Sequence, residues 1–147
     1  MKAYFDTNIL VAASVQEHQH HVPSFDLVKA VKKGAFGGCI STHGLAEFYA
    51  VLTRAPFTPR VHPAEAGRIL DDNILPYFEL IALSAGDYKA VLRSSTRAGL
   101  MGGAVFDALH LHGAQKAGCD RIYTFNVKDF RSLAPADLAD KIFAPSI

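Results

Sequence analysis

Residues 104–125 read AVFDALHLHGAQKAGCDRIYTF, and the fold class turns on them. Ala104 to Ala117 carries a helical pattern, with Val105, Ala108 and Leu109 offering an apolar surface. Gly118 is placed to end that helix in the left-handed conformation. The run from Arg121 to Phe125 is apolar, aromatic and short, the signature of a strand. A long helix followed at once by a short buried strand is the repeating unit of a parallel sheet.

The same alternation extends outward in both directions. Glycines 99, 102 and 103 separate this helix from an earlier one, Ala85 to Ala98, with Ser84 placed to cap it. Further strands are expected at Ala3–Phe5, Gly38–Ile40, Phe78–Leu83 and, weakly, Lys141–Phe143. Between them lie a helix marked by Phe25, Val28 and Val31, and one marked by Leu45, Phe48, Tyr49 and Leu52 behind Ser41-Thr42. A third runs from Ala64 to Leu75, bounded by Pro63 and Pro76. Strand–helix alternation of this kind predicts a three-layer α/β/α sandwich with a central parallel sheet.

The bulk composition narrows the field. At 147 residues and 50% hydrophobic content, the chain suits one domain spanning 1–147, with no repeat, linker or low-complexity tract. Fifteen basic against 14 acidic residues leave a net charge of +1, so no long-range basic field exists to attract nucleic acid. Cys39 and Cys119 read as buried reduced thiols. No secretory pattern opens the sequence and no apolar run approaches a membrane span, so a soluble cytoplasmic protein is expected.

Acidic and amide residues fall at recurring structural positions. Asp6 follows the first strand in "YFDTNIL", Glu47 lies on the second turn of the helix after the second, and Asp107 lies in the first turn of the Ala104–Ala117 helix. Asn126 follows the fourth strand in "YTFNVKDF", with Asp129 three residues on. In open α/β sheets, sites form at the carboxyl ends of strands. Taken singly, each has a plain structural use: an Asx-turn for Asp6, helix-dipole partners for Glu47 and Asp107, a turn amide for Asn126. Glu47 shares its face with Ala50, Val51 and Arg54, so it needs a partner. Carboxylates converging without matching lysines call for a hard divalent cation, and oxygen ligands fit Mg²⁺ or Mn²⁺. Such an ion activates water and stabilises a phosphoryl oxygen.

The segments "YFDTNIL", "ISTHGLAEFYAVLTR" and "VFDALHLHGAQKAGCDRIYTFNVKDF" together resemble the PIN-domain family, most closely its VapC-type ribonuclease toxins. The resemblance runs from about the second residue through "NVKDF". It implies a metal-dependent endoribonuclease, the toxin of a toxin–antitoxin pair, hydrolysing RNA phosphodiesters with a metal-activated water to leave 5′-phosphate and 3′-hydroxyl ends. Asp6 and Asp107 match the principal metal ligands and Glu47 the third acid. Thr7, Asn8 and Thr124 match small polar positions that brace the acids or touch substrate. The family's fourth acid falls on Asn126, an amide; Asp129 either substitutes for it or caps the "KDF" turn. The resemblance also implies a homodimer and a cognate antitoxin protein.

Other features carry less. His18, His20 and His21 in "EHQHH" lack the spacing of a zinc site and are better placed to touch RNA. His110 and His112 fall on different helix faces, and His110, one turn from Asp107, suits a supporting role. Arg54, two turns beyond Glu47, is placed to meet a phosphate, or is an ordinary surface arginine. Two competing readings stand beside the nuclease: a PIN-like module binding RNA or protein without cleavage, and a phospho-receiver domain. The receiver needs an aspartate after its third strand and a lysine after its fifth, and neither is convincingly placed.

Overall fold

A computed structural model describes residues 1–146. Five strands, β1 (Lys2–Phe5), β2 (Gly37–Ser41), β3 (Phe78–Ile81), β4 (Arg121–Tyr123) and β5 (Ile142–Phe143), form one sheet in the order β3-β2-β1-β4-β5. Every pairing is parallel, with Tyr4 opposite Cys39 on one side and Ile122 on the other. Side chains alternate between faces, and two apolar cores result. Ala3, Phe5, Ile40 and Tyr123 contribute to one, while Tyr4, Cys39 and Ile122 contribute to the other.

Among the described residues, eight α-helices cover the sheet: α1 (Thr7–Ser14), α2 (His21–Lys32), α3 (Thr42–Arg54), α4 (Pro63–Ile69), α5 (Ala85–Ala98), α6 (Ala104–Ala117), α7 (Val127–Leu133) and α8 (Ala136–Ala139). The first four supply Ile9, Leu10, Val28, Phe48 and Ala66 to the first core. Helices α6, α7 and α8 supply Leu111, Phe130 and Leu138 to the second. This is the expected three-layer α/β/α arrangement.

The ends of α3, α5 and α6 follow their sequence signals. Ser41 Oγ accepts from the Gly44 amide at the start of α3. Ser84 and Asp87 form a reciprocal capping box on α5, and Gly118 closes α6 at φ 64°. Other expectations need correction. The helix expected over Ala64–Leu75 is α4 followed by a π-helical turn, Leu70–Ile74. Strand β4 stops at Tyr123 rather than Phe125, because the Phe125 amide turns away to Asn8 Oδ1 at 3.5 Å. On α6 the flank bearing His110 and Ala114 is buried and Val105 and Ala108 are only half-buried, so His110 faces inward.

Gly38 shows how closely the sheet is packed. A Cβ there would come within 2.7 Å of the Phe78 ring, itself held edge-on against Phe5 at 5.1 Å. Gly38→Ala is therefore expected to destabilise the protein by about 1–3 kcal/mol through overpacking, read as a lower urea midpoint. An unchanged midpoint would mean that Phe78 can move aside.

Candidate active site

After β1 the chain moves outward through β2 to β3 and then crosses to β4 on the other side. The gap between the carboxyl ends of β1 and β4 is thus the switch point of the sheet, where open α/β folds form sites. Asp6 sits there, its amide still bonded to the Tyr123 carbonyl at 3.0 Å. It occupies the N-cap position of α1, yet its side chain makes no capping hydrogen bond. Instead Oδ2 accepts a 2.6 Å hydrogen bond from Thr124 Oγ1, and Oδ1 lies 3.4 Å from His110 Nε2. The residue is only 4% exposed. A turn-forming role for Asp6 is thereby excluded.

Glu47 reaches the same edge from α3. Its Oε1 lies 3.0 Å from His110 Nε2 and its Oε2 lies 3.2 Å from His43 Nε2. His43 is one turn earlier on α3, the spacing at which helical side chains meet. On its far side His110 presents Nδ1 to Tyr4 Oη at 2.7 Å, and Tyr4 donates to Ser41 Oγ at 2.9 Å. With the Tyr4 proton directed at Ser41, its oxygen accepts from Nδ1 while Nε2 donates to Glu47. That arrangement accommodates a proton on each ring nitrogen.

The electrostatics agree with that geometry. Burial disfavours the His110 cation, but the hydrogen bond to Glu47 and the charges of Asp6, Glu47 and Asp107 outweigh it, and the pKa is raised. For Glu47, burial would raise the pKa; hydrogen bonds from His110, His43 and Thr7 prevail and hold it well below the carboxylate range. Asp6 is shifted up by burial, against the opposing pull of His110 and Thr124. Asp107 is pushed up to about 6, by burial first and then by Asp6, with Asp129 and Glu47 adding to the repulsion and His110 only partly relieving it.

The other expected residues are arranged around this cluster. Thr7 Oγ1 is buried beside His110 Nε2 at 3.5 Å and donates to the Gly44 carbonyl at 3.4 Å. Asn8 braces the Phe125 amide, and Thr124 Oγ1 accepts from the Asn126 amide at 3.0 Å. Asn126 thus supports the cluster through its backbone, while its side chain makes no cap to α7. Asp129 is exposed on α7 and acts on Asp107 through charge alone. Arg54 is exposed at the end of α3, and Arg60 donates to its carbonyl. His112 turns the other way, to Asp87 at 2.9 Å. The cluster's two histidines, His43 and His110, are the members that sequence reasoning did not place at its centre. Their signal was spacing: His43 four residues before Glu47, His110 three after Asp107.

Two sets of metal-capable donors can be compared. Among the described residues, His43, Glu47 and His110 form the one group of three such side chains whose ligand atoms lie within 4.8 Å of one another. In that group the acids around His110 raise its pKa, so a proton competes with a metal ion for the ring. Asp6, Asp107 and Glu47 are oxygen donors coupled through charge, the donor chemistry that a hard divalent cation takes, although their ligand atoms do not all lie within 4.8 Å of one another. Grooves of about 810 and 470 Å³ open elsewhere on the molecule, away from these acids.

Fold and site together define an α/β protein with an acidic centre at the carboxyl edge of its sheet. Residues 3–134 match the PIN domain family, and the chain belongs to it. It is similar to ribonuclease VapC40 of Mycobacterium tuberculosis, with 31% identity over 113 residues, 77% of this chain and 78% of the relative. A crystal structure of VapBC2 from Rickettsia felis, bound to a DNA fragment from its promoter, matches with a TM-score of 0.68 at 21% identity, covering 99% of this chain and 100% of that one. The crystal structure of M. tuberculosis VapC20, a sarcin-ricin loop cleaving toxin, gives the same TM-score at 17% identity, covering 88% and 93%. These solved structures share the fold.

Proposed function

We propose that this protein is a metal-dependent endoribonuclease of the VapC toxin type, hydrolysing RNA phosphodiesters with Mg²⁺ or Mn²⁺. Asp6 and Asp107 are the principal ligands and Glu47 the third acid, and residues 1–147 act as one PIN-like domain. The observation that carries the reading is Asp6: a buried carboxylate at the switch point, released from capping, clamped by Thr124 and facing a second acid whose charge lacks a full counterpart. Similarity to ribonuclease VapC40 supports the same activity.

A divalent cation held there supplies Lewis-acid stabilisation of the phosphoryl oxygens and an acidified water. The chain's own groups hold the geometry. Thr124 fixes one Asp6 oxygen and leaves the other directed toward the cluster. His110, anchored by Tyr4, holds Glu47 and balances charge on two acids that would otherwise repel. Asn126 is a neutral neighbour through which Asp6 is braced by way of Thr124. Thr7 and Asn8 complete that brace, and Arg54 reaches for substrate phosphate along α3. The fold likeness to VapBC2 supports an antitoxin partner for this chain, and we place the protein in the cytoplasm as a homodimer. No helix among the described residues is long and apolar enough to cross a membrane.

The test is incubation of purified, partner-free protein with a structured RNA pool and Mg²⁺, Mn²⁺ or EDTA. Cutting that requires the ion and vanishes in EDTA is expected. Folded protein that cuts nothing with either ion would instead be a non-cleaving module, with Asn126 the first residue to exchange for Asp.

A further inference from the structure

The nuclease reading uses the acids and leaves the rings beside them unexplained. Phe106 directly precedes Asp107 and is 46% exposed. The α6 core is supplied by Leu109, Leu111 and Ala114, so packing does not require a large ring at Phe106. One face of that ring lies flat on His43, with centroids 5.0 Å apart and planes at 23°. His43 is itself fixed, hydrogen-bonded to Glu47 and edge-on to His110 at 5.5 Å. Phe106 is thus an exposed aromatic surface backed by a rigid support and adjoining a proposed metal ligand.

A second stack occurs at the other end of the same line of contacts. His110 meets Asp6, Asp6 is held by Thr124, and the next residue is Phe125. The Phe125 ring is stacked with His20 at 4.6 Å and 28°, and His18 lies nearly parallel to it at 6.5 Å. The ring is itself partly buried against the first core, so unlike Phe106 it is not an exposed surface. The His20 amide donates to His18 Nδ1 at 3.0 Å, which orders the loop carrying both rings.

Charge explains why such surfaces are needed. The protein is nearly neutral overall, and its acids repel the phosphates of any RNA that approaches them. Affinity has to come from another source, and every nucleobase has a face that stacks on aromatic rings. In a duplex those faces are covered by neighbouring base pairs. Resting on the ribonuclease reading, we propose that Phe106, backed by His43, is a base-stacking platform that holds an unpaired nucleotide beside the scissile phosphate.

The experiment compares wild type with Phe106→Ala, Phe106→Leu and Phe106→Trp. It measures cleavage of a short single-stranded RNA in Mn²⁺ and binding of the same RNA in EDTA by fluorescence anisotropy. It also uses a version of the RNA made abasic beside the mapped cut. Phe106→Ala is expected to raise KM and the dissociation constant about 5- to 150-fold, with kcat nearly unchanged. Trp should restore both constants and Leu should not. The abasic RNA should bind wild type as weakly as Phe106→Ala binds the intact strand, with no further loss when the two changes are combined.

Unchanged KM in Phe106→Ala, or losses that simply add, would overturn the platform. So would a fall in kcat alone, which would make Phe106 a support for Asp107. A change in oligomeric state or loss of a bound protein partner with Phe106→Ala would assign the ring to a protein contact and equally overturn it. If wild type cuts no RNA with either ion, the nuclease reading fails, while ring-dependent RNA binding in EDTA would still uphold the platform.

Discussion

Asp6→Asn and Asp107→Asn are each expected to lower metal-dependent RNA cleavage by about a thousandfold or more, because each removes a charge that the cation needs, an effect of several kcal/mol in the transition state. Calorimetric titration should show Mn²⁺ binding lost in both. Glu47 is tied to two histidines, so Glu47→Gln should cost less, about 10–100-fold. Asp107 also sets a pH dependence. Its carboxyl titrates near about 6 without metal, so protons compete and Mn²⁺ affinity should fall as the pH drops through that value. A pKa raised in the fold adds stability below the ordinary value of 3.8 that is lost as pH rises through about 6. Metal-free Asp107→Asn should therefore be more stable than wild type at pH 7, by about 1–2 kcal/mol once solvent screening is allowed for. A variant that is less stable and still binds Mn²⁺ would refute the assignment of Asp107.

The second large effect concerns His110. A buried cation between two carboxylates is costly to break, because the survivors remain buried and uncompensated. His110→Ala should destabilise the metal-free protein by about 3–5 kcal/mol near pH 6, measured by urea unfolding. The sign with pH is determined. The folded pKa is raised above 6.5, so the stability this group adds is complete below 6.5 and declines as pH rises through the folded value. His110→Gln, which can still donate to Glu47, should recover part of the loss and flatten the decline. Added Mn²⁺ should stabilise His110→Ala more than wild type, since the ion then relieves repulsion that the imidazolium no longer offsets. Equal stability of His110→Ala and wild type at pH 6 would show that the imidazolium bridge contributes nothing.

Strands proved easier to read than the site's centre, for physical reasons. The central strands β1, β2 and β4 were legible because a strand buried on both faces is a short apolar run, whereas β3 carries exposed Glu79 and Leu80 and β5 is only two residues long. Helices α5 and α6 were legible at both ends because Ser84, the glycines and Gly118 punctuate them. Helix α1 was not, since Ile9, Leu10, Val11 and Ala12 are all buried and leave no amphipathic period to detect. Asp6 could be read from its place just past the first strand, and Glu47 and Asp107 from their places on the early turns of helices. The histidines could not, because spacing places His110 only one turn from Asp107, while its burial and its contacts with Tyr4 and Glu47 come from residues distant in the chain.

The arrangement of strands has a consequence for assembly. Asp6 closes the first strand of the fold, yet the hydroxyl that clamps it, on Thr124, is 118 residues further along the chain. Central strand β1 likewise lacks one neighbour until β4 arrives. Parallel pairing over such a separation is slow to form, since loop closure must precede the contacts that reward it. Glu47 and Asp107 can be synthesised and still find no braced partner at the end of β1. The acidic edge is therefore assembled only once β4 has paired with β1, and a chain interrupted before Thr124 has no clamp on Asp6.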